Sequence, residues 1–179
     1  MQPVIRCESI PGHPDFRPLS AIPGVQVELR YATPNNFVGR DLYSPLDCAW
    51  LHKDAAAAVQ CAHAWLQQQR PDLTFLILDA MRPQRVQEQL WQALQGTDLL
   101  QYLANPERGS IHSFGMAVDI TLVTNEGVEL DMGTPFDDLT ELSHPALEEG
   151  FLAAGMLSAI QVENRVLLRE AMRAAGFQG

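Results

Sequence analysis

The stretch Ser110-Ile111-His112-Ser113-Phe114-Gly115-Met116-Ala117-Val118-Asp119 places an imidazole and a carboxylate seven residues apart. A turn at Gly115 and about four extended residues, spanning roughly 13 Å if straight, separate them. The loop can fold back over that distance, so both side chains can converge on one ion. Imidazole nitrogen and carboxylate oxygen together suit zinc. A carboxylate between Val118 and Ile120 is costly if it faces a core alone. The alternative is a surface histidine and an aspartate on the solvent face of the strand.

Asp79-Ala80-Met81-Arg82-Pro83-Gln84 follows a short apolar run. Arg82 therefore sits at a strand-to-helix corner, where a guanidinium could orient a carboxylate or stabilise an oxyanion. It could equally be paired with Asp79 at the first turn of a helix. Tyr31-Ala32-Thr33-Pro34-Asn35-Asn36-Phe37 could lend a phenol and amides to a pocket, or be a plain polar loop. Asp131-Met132-Gly133-Thr134-Pro135-Phe136-Asp137 is a tight turn with two carboxylates. Asp137 could hold a substrate ammonium or cap a short helix. Glu141 and His144 share helical spacing, but Pro145 disfavours helix at His144. Cys61 and His63 read as packing on a helix.

These groups need a scaffold. Val25, Val27, Leu29 and Tyr31 alternate with polar neighbours and predict a half-buried strand. Lys53 to Gln69 is Ala-rich, with Val59, Ala62 and Leu66 on one stripe, and predicts a helix closed by Arg70-Pro71. Leu73 to Leu78 predicts a buried strand. Pro83 suits the first turn of a helix carrying Val86, Leu90 and Leu94 and ending at Gly96. Met116 to Val123 predicts a strand, turned by Asn125-Glu126-Gly127 into Val128-Glu129-Leu130. The last helix runs from about Ser158 to Ala175, capped by Gly176. The three tryptophans, Trp50, Trp65 and Trp91, read as core or half-core. Irregular alternation with a hairpin predicts an α+β fold, one domain over 1–179, with a central, mainly antiparallel sheet and flanking helices.

Composition narrows the function. At 179 residues with 46% hydrophobic and 19% charged residues, the chain is a globular domain. Its net charge of -10 argues against nucleic acid and against an anionic membrane surface. No run approaches the roughly 18 apolar residues of a membrane span, and Met1 to Gly12 show no signal-peptide pattern. Cys7, Cys48 and Cys61 form no Cys-x-x-Cys pair. The expectation is a reduced, cytoplasmic protein.

Taken together, the pieces resemble the D-alanyl-D-alanine dipeptidase family of zinc peptidases. The matching residues are Tyr31-Ala32-Thr33 with Asn36-Phe37, Asp79 with Arg82-Pro83, and Ser110-x-His112-x-x-Gly115-x-Ala117-x-Asp119. Met132-Gly133-Thr134-x-Phe136-Asp137 and Asn164-Arg165-x-Leu167-Leu168 with Gly176-Phe177 follow in the family's order. The resemblance implies hydrolysis of a small D,D-dipeptide in cell-wall metabolism. It implies one zinc ion held by His112 and Asp119, transition-state stabilisation by Arg82, and substrate contacts from Ser110, Tyr31 and Asp137. It also implies a Glu-Trp-Trp-His element after the Gly-Phe pair, carrying the third ligand and the general base. Here Gln178 and Gly179 follow Phe177, so the expectation is that the chain as given lacks that element and that its general base is unknown. Loss of such a base removes roughly 10²- to 10⁴-fold in rate. A dipeptide binder without catalysis, or a related D,D-carboxypeptidase, is the alternative.

Overall fold

Leu73–Asp79 forms strand β4, every residue of it buried, in the computed structural model, which describes residues 5–178. Its burial on both faces explains an apolar run interrupted only by Thr74 and ending in one charge. Four other short strands surround it: β1 (Phe16–Pro18), β2 (Gln26–Val27), β3 (Trp50–His52) and β5 (Asp119–Thr124). The main sheet has the order β2-β4-β5, with β2 parallel to β4 and β5 antiparallel to it. β1 and β3 pair separately as an antiparallel ribbon. The longest pairing, β4 with β5, is antiparallel, as the α+β reading expects.

The β4–β5 register runs from Leu73 opposite Thr124 to Ile77 opposite Ile120, then slips. After the slip Asp79 lies opposite Asp119. Leu78 is the extra residue of this bulge, and a bulge re-aims the side chains that follow it. Two carboxylates are thereby set side by side at one end of the sheet.

The helices cover the sheet. Helix α1 (Lys53–Gln69) buries Ala55, Ala56, Val59, Ala62 and Leu66. It begins after His52, whose Nδ1 accepts the Asp54 N–H. Helix α2 (Gln84–Ala93) starts after Pro83 and buries Val86 and Leu90 against Tyr31, Tyr43 and Met81. Helix α3 (Glu148–Ala153) is short. Helix α4 (Ala159–Ala174) opens on a capping box between Ser158 and Gln161. Ala62, Leu66, Phe75, Leu122 and Ala171 close the core between α1, the sheet and α4. Among the described residues no helix is long and apolar enough to cross a membrane.

The structure corrects several element boundaries. The strand expected over Val25–Tyr31 is only Gln26–Val27, and Arg30–Ala32 is a 3₁₀ turn. Val27 faces outward, 41% exposed, whereas Tyr31 is 2% exposed. The apolar alternation there reports a chain that curls to bury Tyr31, not a regular strand. β5 begins at Asp119, because Met116 hydrogen-bonds back to Ile111 and not across the sheet. Val128–Leu130 makes one isolated bridge, Val123 with Glu129, and Val128 is 63% exposed. Trp50, Trp65 and Trp91 are all half-buried.

Gly115 fastens the His112 loop to β3. Its φ is +66°, its carbonyl accepts the His52 N–H at 2.9 Å, and a Cβ there would lie 2.9 Å from His52 N and 3.0 Å from Phe16 Cε1. Gly115→Ala is expected to lower stability by at least the left-handed penalty of about 1–2 kcal/mol. Urea unfolding checks this, and an unchanged midpoint contradicts it.

Candidate metal and substrate site

Three backbone hydrogen bonds bring the site's loops together. The Met81 N–H donates to the Trp50 carbonyl, the Arg82 N–H to the His112 carbonyl, and the His52 N–H to the Gly115 carbonyl. The turn Ile111–Phe114 is thus gripped between β3 and the corner after β4. Ser110 caps that turn, its buried Oγ accepting the His112 N–H.

This places Asp79, His112 and Asp119 in one cluster, with ligand atoms within 4.8 Å of one another. The three are not equivalent. Asp79 is fully buried, and both its oxygens are engaged. Its Oδ1 accepts the Tyr43 hydroxyl, and its Oδ2 accepts Arg82 Nε at 2.9 Å and Nη2 at 2.7 Å. His112 and Asp119 are less committed. His112 Nδ1 lies 2.9 Å from the Ala80 carbonyl, which fixes it as the donor and leaves Nε2 as the ligating nitrogen. Nε2 stands 3.5 Å from Asp119 Oδ1. Two ligands at about 2.1 Å from a tetrahedral cation stand roughly 3.4 Å apart. The pair therefore has the spacing of two metal ligands, while Asp79 serves to hold Arg82.

Charge points the same way. Asp79, Asp119 and Asp137 face one guanidinium, Arg82, leaving two uncompensated negative charges when all are ionised. Burial pushes the Asp79 carboxyl up, and nearby Asp119 adds to the rise. Burial disfavours a charged His112, but its hydrogen bond to Asp119 and the Asp119 and Asp79 charges together outweigh that and raise its pKa. Burial works the other way on Asp119, where contact with His112 prevails and lowers its pKa. A proton shared by His112 and Asp119 is thus favoured, and a divalent cation would take its place.

Arg82 is held on three sides. Asp79 takes two of its donors, and the Oε1 of buried Gln87 takes Nη1 at 3.0 Å. Nη2 also reaches Asp119 Oδ2, at 3.4 Å. That long contact leaves this corner of the guanidinium facing the His112–Asp119 pair. The Arg82 carbon lies 5.1 Å above the Tyr31 ring. Tyr31 is packed edge-on against Tyr43 and Phe136, and its hydroxyl donates to Asp137 Oδ2 at 2.5 Å. Asp137 has a left-handed φ of 59°. Burial, then the Asp119 and Asp79 charges, raise its pKa to about 6, against the lowering effect of the Tyr31 bond. Asp119 and Asp137 share the wall of a cleft of about 890 Å³, with Ile111, Met116 and Phe136.

The residues singled out by type and spacing are thus largely brought together: His112 with Asp119, Arg82 beside them, and Tyr31 with Asp137 across the Arg82 face. Ser110 is a cap behind the site. Glu141 and His144 belong to a surface 3₁₀ turn, where His144 Nδ1 accepts the Ala146 N–H. His63 packs against Gly24 and Thr74, away from the cluster. The sequence reading missed Tyr43 and Gln87. Neither lies in a periodic pattern that marks a buried polar partner, although Tyr43 follows the loop-starting Asp41 that caps it.

The family described as D-ala-D-ala dipeptidase matches residues 15–179 of this chain. The D-alanyl-D-alanine dipeptidase of Escherichia coli (strain K12) is 38% identical over 157 residues, covering 88% of this chain and 75% of that protein.

Removing Asp79 strands a buried guanidinium. Asp79→Ala is expected to cost about 3–5 kcal/mol. Tyr43→Phe leaves the Arg82 pair intact and is expected to cost less, about 1–3 kcal/mol. Equal losses in urea unfolding would show that the ion pair does not anchor this corner.

Proposed function

The chain belongs to the D-Ala-D-Ala dipeptidase family, and on that premise we propose that it hydrolyses D-alanyl-D-alanine as a zinc enzyme of cell-wall metabolism, acting in the cytoplasm. The observation that carries this reading is the spacing of His112 Nε2 and Asp119 Oδ1 beside a fixed guanidinium. His112 and Asp119 hold the metal, which when bound supplies a Lewis acid for the scissile carbonyl and a lowered pKa for a water. Arg82 presents Nη2 to the oxygen that gains charge as the carbonyl becomes tetrahedral. Its bonds to Asp79 and Gln87 mean that no reorganisation is needed at that moment.

Asp137 receives the substrate's ammonium, and Tyr31 holds its carboxylate from behind. The dipeptide then lies across the cleft between the ammonium site and the Arg82 corner. Ser110 supports this arrangement through the His112 turn. General-base chemistry and a third ligand are assigned to no residue among 5–178. The family pattern that the chain resembles carries both in a Glu-x-x-His element.

Release of D-alanine from D-Ala-D-Ala, one zinc per chain and loss of turnover on chelation are the expected results. Arg82→Ala is expected to lower kcat by about 10²- to 10³-fold with zinc content kept. Zinc-loaded protein that binds the dipeptide without cleaving it supports the binder instead. Turnover indifferent to chelation and to Arg82→Ala would falsify the zinc mechanism.

The Asp137 carboxyl supplies a pH dependence. Ionised above about pH 6, it attracts the ammonium; protonated below, it does not. Affinity for the dipeptide is expected to fall as pH drops through this range. Asp137→Asn should bind weakly at every pH and lack that limb. A limb of unchanged size in the variant assigns it to another group.

A further inference from the structure

Asp137 sits in an irregular segment, Asp131 to Leu142, whose left-handed residue is not a glycine. A short polar side chain tolerates that conformation, but only surrounding contacts make it persist. Within the segment the bonds are local turns: Gly133 N–H to Asp131 Oδ1, Asp138 N–H to the Pro135 carbonyl, and Thr140 N–H to Asp138 Oδ1. None of these ties the segment to the rest of the fold.

Tyr31 holds Asp137 itself through its hydroxyl and packs against Phe136, and the ties of the segment's backbone come from α4. Arg165 donates from Nε to the Met132 carbonyl at 2.6 Å, from Nη2 to Thr134 Oγ1 at 3.2 Å and from Nη1 to the Leu142 carbonyl at 2.9 Å. One buried guanidinium thus binds both ends of the segment. Asn164 adds a bond to the Asp131 carbonyl at 2.9 Å. Gly133 lets the chain approach, since a Cβ there would meet Leu157 Cδ2 at 2.5 Å and Gln161 Oε1 at 3.1 Å. Glu148 does not explain Arg165 by charge alone. Arg169 already pairs with both its oxygens at 2.7 and 2.6 Å, whereas Arg165 reaches it only at 3.4 Å.

We propose that Arg165 is a positioning residue for substrate binding, acting through the Asp131–Leu142 segment to hold Asp137 where it meets the ammonium. This rests on the reading of Asp137 given above. The planar fork is the reason for arginine, because a lysine ammonium cannot reach acceptors at both ends of the segment with fixed geometry. Arg82, His112 and Asp119 hang from β4, the His112 turn and β5, so losing Arg165 leaves them in place.

The test compares D-Ala-D-Ala with N-acetyl-D-Ala-D-Ala, which lacks the ammonium, on the full chain. KM and kcat are measured for each, or Kd by titration where there is no turnover. The wild type is expected to favour the free amine by roughly tenfold or more. Arg165→Ala and Arg165→Lys are expected to lose most of that preference with kcat for D-Ala-D-Ala little changed. Asp137→Asn added to Arg165→Ala is expected to cost little more, because both act through one contact. Amide exchange over 132–142 should quicken in the Arg165 variants. If those variants do not fold, Thr134→Val and Asn164→Ala carry the test, each expected to weaken the preference in part. A folded Arg165 variant, or both substitutes, keeping the full preference overturns the proposal while leaving Asp137 its role. Losses that add, or a fall in kcat alone, overturn it too. A wild type with no preference for the free amine removes the role of Asp137 and the proposal with it.

Discussion

Asp79 and Asp119 face each other across two adjacent strands, and like charges in that position repel. The surroundings of the site follow from that constraint. Asp79 is fully buried and cannot be relieved by water, so it needs a guanidinium and a hydroxyl, which Arg82 and Tyr43 provide. Asp119 opens on the cleft and pairs with His112, a partner that can give way to a cation. The two carboxylates share Arg82, which contacts both, so one cation links the fixed half of the site to the exchangeable half. Gln87 and the Tyr31 ring finish the enclosure of that guanidinium.

Much of this is legible in the chain because local rules govern it. β4 is announced by its apolar run, α1 and α4 by their stripes, and the Arg82 corner by Pro83. His112 and Asp119 stand out by residue type, and a turn glycine between them permits convergence. What cannot be read locally is pairing across the sheet. Nothing near Asp79 in sequence says that Asp119 will lie opposite, forty residues on. Tyr43 is hidden for a related reason, since its partner lies in another element and its own segment is irregular. Arg165 stands in a matching motif but carries no role in the sequence until the carbonyls it binds are placed around it. The strand expected at Val25–Tyr31 failed for a different cause: alternation of apolar residues is satisfied by any chain that buries alternate side chains, including one that curls.

The substrate end of the site is built differently from the metal end. His112, Asp119 and Arg82 hang from strands and a turn clamped by backbone hydrogen bonds. Asp137 hangs from a largely irregular segment, positioned by side chains of α4 and by the Tyr31 hydroxyl. The first arrangement is stiff because many backbone bonds must break together to loosen it. The second depends on a few donors, so its stiffness is set by individual residues. Rigid chemistry beside adjustable recognition lets one be changed without the other.

The bulge at Leu78 has a consequence for how this protein can vary over evolutionary time. Were Leu78 paired in regular register, it would lie opposite Asp119, and Asp79 would come opposite Val118. Substitutions in β4 can be absorbed by repacking, and loops elsewhere can lengthen or shorten. A one-residue deletion between Ile77 and Asp79 has no such remedy, because it leaves Asp79 opposite Asp119 but removes the bulge that re-aims its side chain. Along this strand, lineages are free to exchange letters but not to change the count.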